Sequence, residues 1–379
     1  MRKVDCRNVV RIVFNVLHKR IDGRTAELQQ TCASKRGGLV STLAMLTEVV
    51  ARDGTRLHVV HFGRDDDAVD DAGFLEGAPK TALVVHGLGE HSGRYAHIAA
   101  QLRTRGFDVW SYDHRGHGRS QGARGVLAES EDLLHDCAAV IDAVLKEKKL
   151  DGSVMSATDG ATSQHVEQQQ QQQPVLLLLG HSMGGAVVGR FVAEHTYPVD
   201  KRAKWYRPVT YCVLSSPALA ADLSRYQRFM NVTVARLAKD VTVSNGLEAA
   251  WLSNDPKVVQ AFLDDPLNHN RISGRLANFI FKAGDETIEA APTWNVPTLV
   301  MYSVHDKCVA PRGSAAFVTA APQVVVTGRP FEEMGHELFN EPEKAGVFAC
   351  MLDWISAQFV QVGKVAIETT ADALAKVAV

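Results

Sequence analysis

The 379-residue sequence lacks the features of a secreted, membrane-spanning or nucleic-acid-binding protein. Its six cysteines show no paired spacing, which favours reduced thiols and a cytoplasmic setting over a disulfide framework. A net charge of −2 provides no basic excess for holding nucleic acid. No apolar run is long enough to cross a bilayer. The 46% of hydrophobic residues can nevertheless bury a full globular core.

Motifs for nucleotide or metal binding are also missing. The glycine-rich stretches contain no G-x-G-x-x-G pattern and no P-loop lysine. His86, His91, His114 and His117 lie near one another in sequence, but no H-E-x-x-H motif or Cys/His set accompanies them. We therefore expect no metal and no cofactor, and interpret these histidines as hydrogen-bonded residues.

Alternating strand and helix patterns predict an α/β protein with a mostly parallel, eight-stranded sheet covered by helices on both faces. The predicted strands are residues 43–51, 56–62, 81–85, 108–112, 175–179, 210–214, 298–302 and 323–327. Helical patterns lie between most of them, at residues 95–104, 131–148, 186–195 and 342–359. Residues 41–217 and 293–360 form the predicted core.

Four segments interrupt or extend this core. Residues 1–40 are a basic extension, predicted to be mobile, since the first 36 residues carry nine Lys/Arg and three Asp/Glu. A mitochondrial presequence and contact with a membrane are the alternatives for this extension. Residues 150–173 end in six glutamines and are predicted to be a low-complexity loop away from any site. Residues 218–292 break the alternation and are predicted to be a helical cap, and residues 361–379 a C-terminal tail.

The stretch Val175-Leu-Leu-Leu-Leu-Gly-His-Ser-Met-Gly-Gly reads as a strand, a sharp turn and a helix. Ser182 lies between Gly180 and Gly184 in the pattern G-x-S-x-G. A Cβ at either glycine position would collide with the neighbouring strand and helix. Such a strained turn lifts the serine hydroxyl clear of the sheet edge, so we predict that Ser182 is a nucleophile.

A nucleophilic serine needs a base and an acid that orients the base. Asp306 follows the predicted strand 298–302, which places its carboxylate on the same sheet edge as Ser182. His336 follows the last predicted strand in Gly335-His-Glu. In enzymes whose nucleophile lies on such a strand–turn–helix, the nucleophile, the acid and the base follow one another along the chain in the order Ser, Asp, His. We therefore predict that His336 is the general base and that Asp306 is its partner.

The oxyanion donors are predicted to be two backbone amides. The first is Met183 N–H, directly after the nucleophile. The second is Leu88 N–H, in the loop of residues 86–95 (the oxyanion loop), where Gly87 and Gly89 let the chain turn toward the site. A glycine-rich loop can also cradle phosphate, but no phosphate-binding motif accompanies this one.

Residues 222–240 of the predicted cap project as an amphipathic helix. Its basic residues lie opposite an apolar face, which is formed by Leu223, Tyr226, Met230, Val234 and Leu237. The apolar face is predicted to cover an acyl pocket, and the alternative is peripheral contact with an anionic membrane. A second apolar pattern would form another wall, from Leu276, Phe279, Ile280 and Ala283.

Three motifs together resemble those of monoacylglycerol lipases and lysophospholipases of the α/β-hydrolase fold, a group also described as serine aminopeptidase-like. They are His86-Gly-Leu-Gly-Glu-His-Ser-Gly-Arg-Tyr, Asp113-His-Arg-Gly-His-Gly-Arg-Ser-Gln-Gly and Gly180-His-Ser-Met-Gly-Gly. The resemblance extends over residues 45–358 and implies the same triad and oxyanion pair. It also implies that the loop from Asp113 is a structural turn in which Asp113 and Arg115 form hydrogen bonds.

We therefore expect a serine hydrolase that cleaves carboxylic esters of glycerol lipids through an acyl-enzyme. A monoacylglycerol is the first expectation for the substrate, and lysophospholipids or general carboxylic esters are the alternatives. A peptidase and a ligand-binding receptor on a hydrolase scaffold are further alternatives. The intact set of nucleophile, acid, base and oxyanion loop argues against the receptor.

Overall fold

The computed structural model describes residues 46–65, 80–155, 174–221 and 241–377. Its strands are β1 (Glu48–Val50), β2 (Arg56–Gly63), β3 (Lys80–Val85), β4 (Asp108–Tyr112), β5 (Val175–His181), β6 (Tyr211–Ser215), β7 (Thr242–Ser244), β8 (Arg271–Ser273), β9 (Thr298–Ser303) and β10 (Val326–Phe331). Its α-helices are α1 (Ala96–Arg103), α2 (Asp132–Met155), α3 (Met183–Ala193), α4 (Pro256–Asp264), α5 (Gly274–Ala290), α6 (Pro311–Ala320) and α7 (Lys344–Val377). Within these parts of the chain, no helix has both the length and the apolarity that crossing a bilayer requires.

Eight strands form one sheet in the order β1-β2-β4-β3-β5-β6-β9-β10. The β1–β2 and β2–β4 pairs are antiparallel, and all other neighbours are parallel. The carboxyl ends of β5, β6, β9 and β10 therefore meet along one edge. This arrangement confirms the predicted fold class.

The central strands β3, β4, β5 and β6 are buried on both faces of the sheet, and successive side chains of each strand point to opposite faces. Leu176 and Leu178 of β5 belong to a core that also contains side chains of α2, α3 and α5. Leu177 and Leu179 point the other way, into a core shared with α1 and α7. This two-sided burial explains why β5 is a continuous apolar run rather than an alternating one.

Two predicted strands have different bounds in the structure. The first, predicted at residues 43–51, is β1 at Glu48–Val50, and residues up to 45 lie outside the described ranges. The last, predicted at 323–327, begins only at Val326. The Pro322 carbonyl accepts hydrogen bonds from the amides of Val325 and Val326, at 2.9 Å each, which forms a turn and leaves Val324 exposed.

Two predicted helix ends are wrong. Helix α2 ends at Met155 rather than at residue 148, so the first residues of the predicted insertion 150–173 are helical. Helix α7 continues to Val377 instead of ending at residue 359, so most of the predicted C-terminal tail is helical. Its continuation contains no proline and several strong helix formers, such as alanine, glutamate and lysine. Residues 156–173 and the basic extension 1–40 lie outside the described ranges.

The position of β5 predicts that the glutamine-rich segment does not affect catalysis. This segment precedes the start of β5 at Val175, whereas Ser182 follows the other end of that strand, about 20 Å away at the usual rise per residue. Replacing residues 157–172 with a Gly/Ser segment of equal length should leave kcat/KM within about twofold. Esterase kinetics and thermal unfolding of both proteins test this. A tenfold loss of turnover in a normally folded variant would contradict it.

Candidate active site

Ser182 lies on a strained turn between β5 and α3. Its backbone has φ 53° and ψ −118°, in the left-handed region of φ that L-residues rarely adopt. The turn is held by hydrogen bonds from Ser182 N–H to the Ser215 carbonyl (3.0 Å) and from Ala218 N–H to the Ser182 carbonyl (2.9 Å). The serine is therefore fixed at the carboxyl edge of the sheet, directly before a helix N-terminus.

The glycines around Ser182 allow this turn to pack. A Cβ at Gly180 would lie 2.4 Å from the Gly184 carbonyl oxygen. A Cβ at Gly184 would lie 2.1 Å from the Val85 carbonyl oxygen of the neighbouring strand β3. Both distances are too short for a carbon and a backbone oxygen, which agrees with the collision expected from the G-x-S-x-G pattern.

Asp306 and His336 come together at the same edge. His336 Nδ1 lies 2.6 Å from Asp306 Oδ2. The other carboxylate oxygen of Asp306 accepts hydrogen bonds from the amides of Cys308 (2.8 Å) and Val309 (3.0 Å). With Nδ1 donating to Asp306, the other ring nitrogen of His336 is left to act as a base.

The electrostatics of this pair favour a charged His336. Burial by itself lowers the pKa of His336, but the charge of Asp306 and the hydrogen bond to it outweigh burial and raise that pKa above 6.5. For Asp306, burial by itself raises the pKa, but the charge of His336 and the hydrogen bond to it bring that pKa below its ordinary value. The two residues therefore stabilise each other as an imidazolium and a carboxylate.

His336 lies next to the residue that precedes the nucleophile. The ring of His336 is 4.8 Å from the ring of His181, the residue directly before Ser182. Burial and the charge of His336 lower the pKa of His181 to about 4, so His181 is neutral at pH 7. His181 therefore adds no positive charge beside His336.

The oxyanion loop lies against the nucleophile. A Cβ at Gly87 would be 3.2 Å from the Ser182 Cβ. Gly89 has φ +77°, and its carbonyl accepts a hydrogen bond from the His269 amide at 2.8 Å. Leu88 and Met183, whose amides are the predicted oxyanion donors, line the same cavity as Ser182.

That cavity has a volume of about 390 Å³ and is lined mainly by apolar side chains. The residues lining it include Leu88, Ser182, Met183, Leu219, Trp251, Ile272, Ile280, Phe281, Cys308 and Val309. Leu276, Phe279, Ile280 and Ala283 of the second predicted cap wall all pack into the core, and of these Ile280 also lines the cavity. Leu223, Tyr226, Met230, Val234 and Leu237 lie outside the described residues.

The histidines of the oxyanion loop and of the loop after β4 take part in hydrogen bonds. His86 Nδ1 lies 2.7 Å from the Gly87 carbonyl, and its other ring nitrogen accepts from the His114 amide at 2.9 Å. His91 Nε2 lies 2.9 Å from an Asp265 oxygen. His117 Nδ1 lies 3.0 Å from the Arg115 carbonyl. Each ring thus holds a turn around the oxyanion loop.

The loop after β4 is the structural turn that the resemblance implied. Asp113 accepts hydrogen bonds from the amide and hydroxyl of Ser92 and from the Arg119 amide, at 2.6–2.8 Å. Arg115 pairs with Asp53 and Asp136 at 2.6–2.8 Å. These contacts join the loop to the oxyanion loop and to α2.

Among the described residues, Asp306, Cys308 and His336 form a set whose potential metal-donor atoms lie within 4.8 Å of one another. Asp306 and His336 already share a short hydrogen bond, and burial and the Asp306 carboxylate raise the pKa of Cys308 far above its ordinary value. A high pKa disfavours the thiolate that a metal ligand requires. The donor set therefore fits an acid–base pair better than a metal centre.

Three charged residues next to the site were not predicted from the sequence: Glu90 and Glu337, which are buried, and Arg94, whose side chain is partly exposed. The Arg94 guanidinium bonds to Glu90 and binds Glu337 in a bidentate manner, at 2.5–2.8 Å. Two signals were available in the sequence. Glu90 and Arg94 are four residues apart within the oxyanion loop, and Glu337 directly follows His336.

Comparison with known proteins agrees with this architecture. The model of the family described as serine aminopeptidase, S33, matches residues 77–343. A monoacylglycerol lipase from Mycolicibacterium smegmatis is 29% identical over 72% of this chain and 86% of that protein. An uncharacterized abhydrolase domain-containing protein from Dictyostelium discoideum is 28% identical over 73% of this chain, which spans only 26% of that protein.

A solved structure shows the same fold. The crystal structure of Paleococcus ferrophilus monoacylglycerol lipase matches with a TM-score of 0.61 and 27% identity, covering 79% of this chain and 98% of that one. The matches confirm the α/β-hydrolase fold and the resemblance to monoacylglycerol lipases that the motifs predicted.

The crowding at Gly184 predicts a large effect of one methyl group. Gly184→Ala should lower the free energy of unfolding by ~1–3 kcal/mol, because the added carbon meets backbone atoms that cannot move aside easily. It should also slow fluorophosphonate labelling of Ser182, since the turn must shift. Chemical denaturation and labelling rates measure both effects.

Gly346 in α7 is the matched control, because a Cβ there would meet no atom within 4 Å. Gly346→Ala should raise the free energy of unfolding by up to ~1 kcal/mol and leave labelling unchanged. Equal behaviour of the two variants would show that the turn at Gly184 is not tightly packed.

Proposed function

The chain belongs to the hydrolase family described as serine aminopeptidase, S33, and within it we propose a serine hydrolase that cleaves the carboxylic ester of a monoacylglycerol. The observation that carries this proposal is the position of Ser182 on its strained turn. There it shares one apolar cavity with Leu88 and Met183 and directly follows His181, whose ring is 4.8 Å from that of His336, the partner of Asp306.

In the proposed reaction, the Ser182 hydroxyl attacks the ester carbonyl carbon while His336 takes its proton. The amides of Leu88 and Met183 stabilise the oxyanion of the tetrahedral intermediate, each by ~3 kcal/mol. Protonated His336 then donates its proton to the glycerol oxygen as the C–O bond breaks, which leaves an acyl group on Ser182. Water, deprotonated by His336, releases the fatty acid and restores the serine hydroxyl.

The charge arrangement suits this sequence of proton transfers. His336 becomes positively charged in each transition state, and Asp306 is the carboxylate that stabilises this charge. Asp306 also accepts hydrogen bonds from the backbone amides of Cys308 and Val309, so its orientation does not depend on His336 alone. An ester is compatible with the site, because one proton from His336 releases its alkoxide as an alcohol.

The lining of the cavity supports a substrate with an acyl chain. Leu219, Ile280 and Phe281 offer apolar surface for hydrocarbon next to Ser182. Two similar proteins, from M. smegmatis and P. ferrophilus, are described as monoacylglycerol lipases. A lysophospholipid or a simple carboxylic ester is the alternative outcome of the substrate test.

Two further expectations stay predictions. Contact of the cap with an anionic membrane depends on residues 222–240, which lie outside the described ranges. A cytoplasmic location rests on the cysteine pattern of the sequence.

The proposal predicts that Ser182 is essential. Ser182→Ala should abolish fluorophosphonate labelling and lower kcat for monoacylglycerols by ~10⁴-fold or more. Wild type should hydrolyse monoacylglycerols with a higher kcat/KM than matched lysophospholipids, short esters or aminoacyl peptides. Thermal unfolding of both proteins serves as the control. Esterase activity that persists in pure Ser182→Ala would refute the role of Ser182, and a preference for peptides would refute the substrate class.

The raised pKa of His336 predicts the acidic limb of the pH profile. Only neutral His336 can accept the Ser182 proton, so activity is lost as the pH falls through this pKa. The limb in kcat/KM for a soluble ester should therefore have an apparent pKa above about 6.5.

Asp306→Asn provides the comparison. Removing the carboxylate charge should move this limb to lower pH and reduce kcat by ~10⁴-fold. Fluorophosphonate labelling rates measured across pH report the limb even at low turnover. A wild-type limb well below 6.5, or no movement in Asp306→Asn, would contradict the pairing.

A further inference from the structure

The peptide groups that flank Gly87 in the oxyanion loop are held by side chains rather than by secondary structure. Gly87 N–H donates to Glu90 Oε1 at 2.6 Å, and the Gly87 carbonyl accepts from His86 Nδ1 at 2.7 Å. The Gly87 carbonyl belongs to the peptide group that contains the Leu88 amide. The direction of the proposed oxyanion donor is therefore set by the side chains of His86 and Glu90.

Glu90 is itself fixed by two other side chains. Its Oε1 also accepts from the Tyr95 hydroxyl at 2.6 Å, and its Oε2 accepts from Arg94 at 2.5 Å. Glu90 is only 3% exposed. Burial would raise the pKa of Glu90, but the charge of Arg94 above all lowers it to about 2, so the side chain is a carboxylate throughout the working pH range.

Arg94 connects this carboxylate to the loop that carries the base. Its guanidinium donates to both oxygens of Glu337, at 2.7 and 2.8 Å. Glu337 directly follows His336, and its amide donates to the Leu252 carbonyl at 2.7 Å. One planar group thus joins the oxyanion loop to the His336 loop through three charge-assisted hydrogen bonds.

From this geometry we infer that Glu90, Arg94 and Glu337 are positioning residues, which hold the Leu88 amide and His336 in register around Ser182. This inference rests on the proposed function, because the relative position of the Leu88 amide and His336 matters only if the first is an oxyanion donor and the second is a base. None of the three residues lines the cavity that contains Ser182. Their action therefore passes through the loops they hold.

The same residues act on the charge of His336. The charged and titratable groups around it are Asp306, Cys308, His181, Glu90, Arg94 and Glu337. Glu337 and Glu90 both raise the pKa of His336, in addition to the larger effect of Asp306. Replacing Glu337 by its neutral amide should therefore lower that pKa, an effect that loosened packing alone would not produce.

The experiment compares Arg94→Lys with Arg190→Lys. Arg190 is a matched control: its side chain is 12% exposed against 14% for Arg94. It too pairs with one glutamate four residues away, Glu194, and one distant glutamate, Glu286. Lysine keeps the charge but cannot form the planar, two-sided contact.

We expect kcat of Arg94→Lys on a soluble ester to fall ~10- to 100-fold, with KM within about threefold, because small displacements of catalytic groups have effects of this size. Arg190→Lys should keep kcat within about twofold while losing similar thermal stability. Glu337→Gln should move the acidic limb of kcat/KM to lower pH. This second variant tests the positioning role even if Arg94→Lys does not fold.

Three results would overturn the inference: near wild-type kcat in Arg94→Lys, equal losses of kcat in both arginine variants, or an unmoved acidic limb in Glu337→Gln. Ser182→Ala measured in parallel separates this from the proposed function. If Ser182→Ala is inactive and Arg94→Lys is normal, only the positioning role fails. If Ser182→Ala remains active, both fail.

Discussion

The backbone of Ser182 is held at φ 53° and ψ −118°, a conformation that costs an L-residue free energy and persists only where its surroundings enforce it. Here the surroundings are β3, β5 and the start of α3, which approach so closely that Gly180 and Gly184 leave no room for a Cβ. The parallel strands bring Asp306 and His336 to the same sheet edge. The site therefore depends on the packing of the sheet as much as on its own side chains.

Buried charge is the second constraint. Asp306, Glu90 and Glu337 are all carboxyl groups with little exposure, and burial alone would favour the neutral forms of Asp306 and Glu90. Asp306 is bound by His336 and by two backbone amides. Glu90 and Glu337 are both bound by Arg94. Because imidazolium formation at His336 is favoured by these carboxylates, the arrangement suits a reaction in which His336 gains a proton.

Much of this could be predicted from the sequence, for physical reasons. The apolar run of β5 and the glycines around Ser182 determine a strand and a turn locally, so the fold class and the position of Ser182 were predictable. The last strand was predicted to begin at residue 323, because its residues are mostly apolar. The apolar pattern does not show that the amides of Val325 and Val326 donate to the Pro322 carbonyl in a turn. The continuation of α7 to Val377 was predictable, because the residues after 359 contain no proline and several strong helix formers. The Glu90–Arg94–Glu337 network joins residues more than 240 positions apart, and such pairings follow from tertiary structure alone.

The central claim is that Ser182 becomes acylated during turnover, and mass spectrometry of the quenched enzyme tests it most directly. Wild-type protein mixed with a monoacylglycerol and acid-quenched within one turnover should gain the mass of one acyl group in place of one hydrogen. Peptide mapping should locate that acyl group on Ser182, and the adduct should decay as fatty acid appears. An acyl adduct on a residue other than Ser182 would contradict the account.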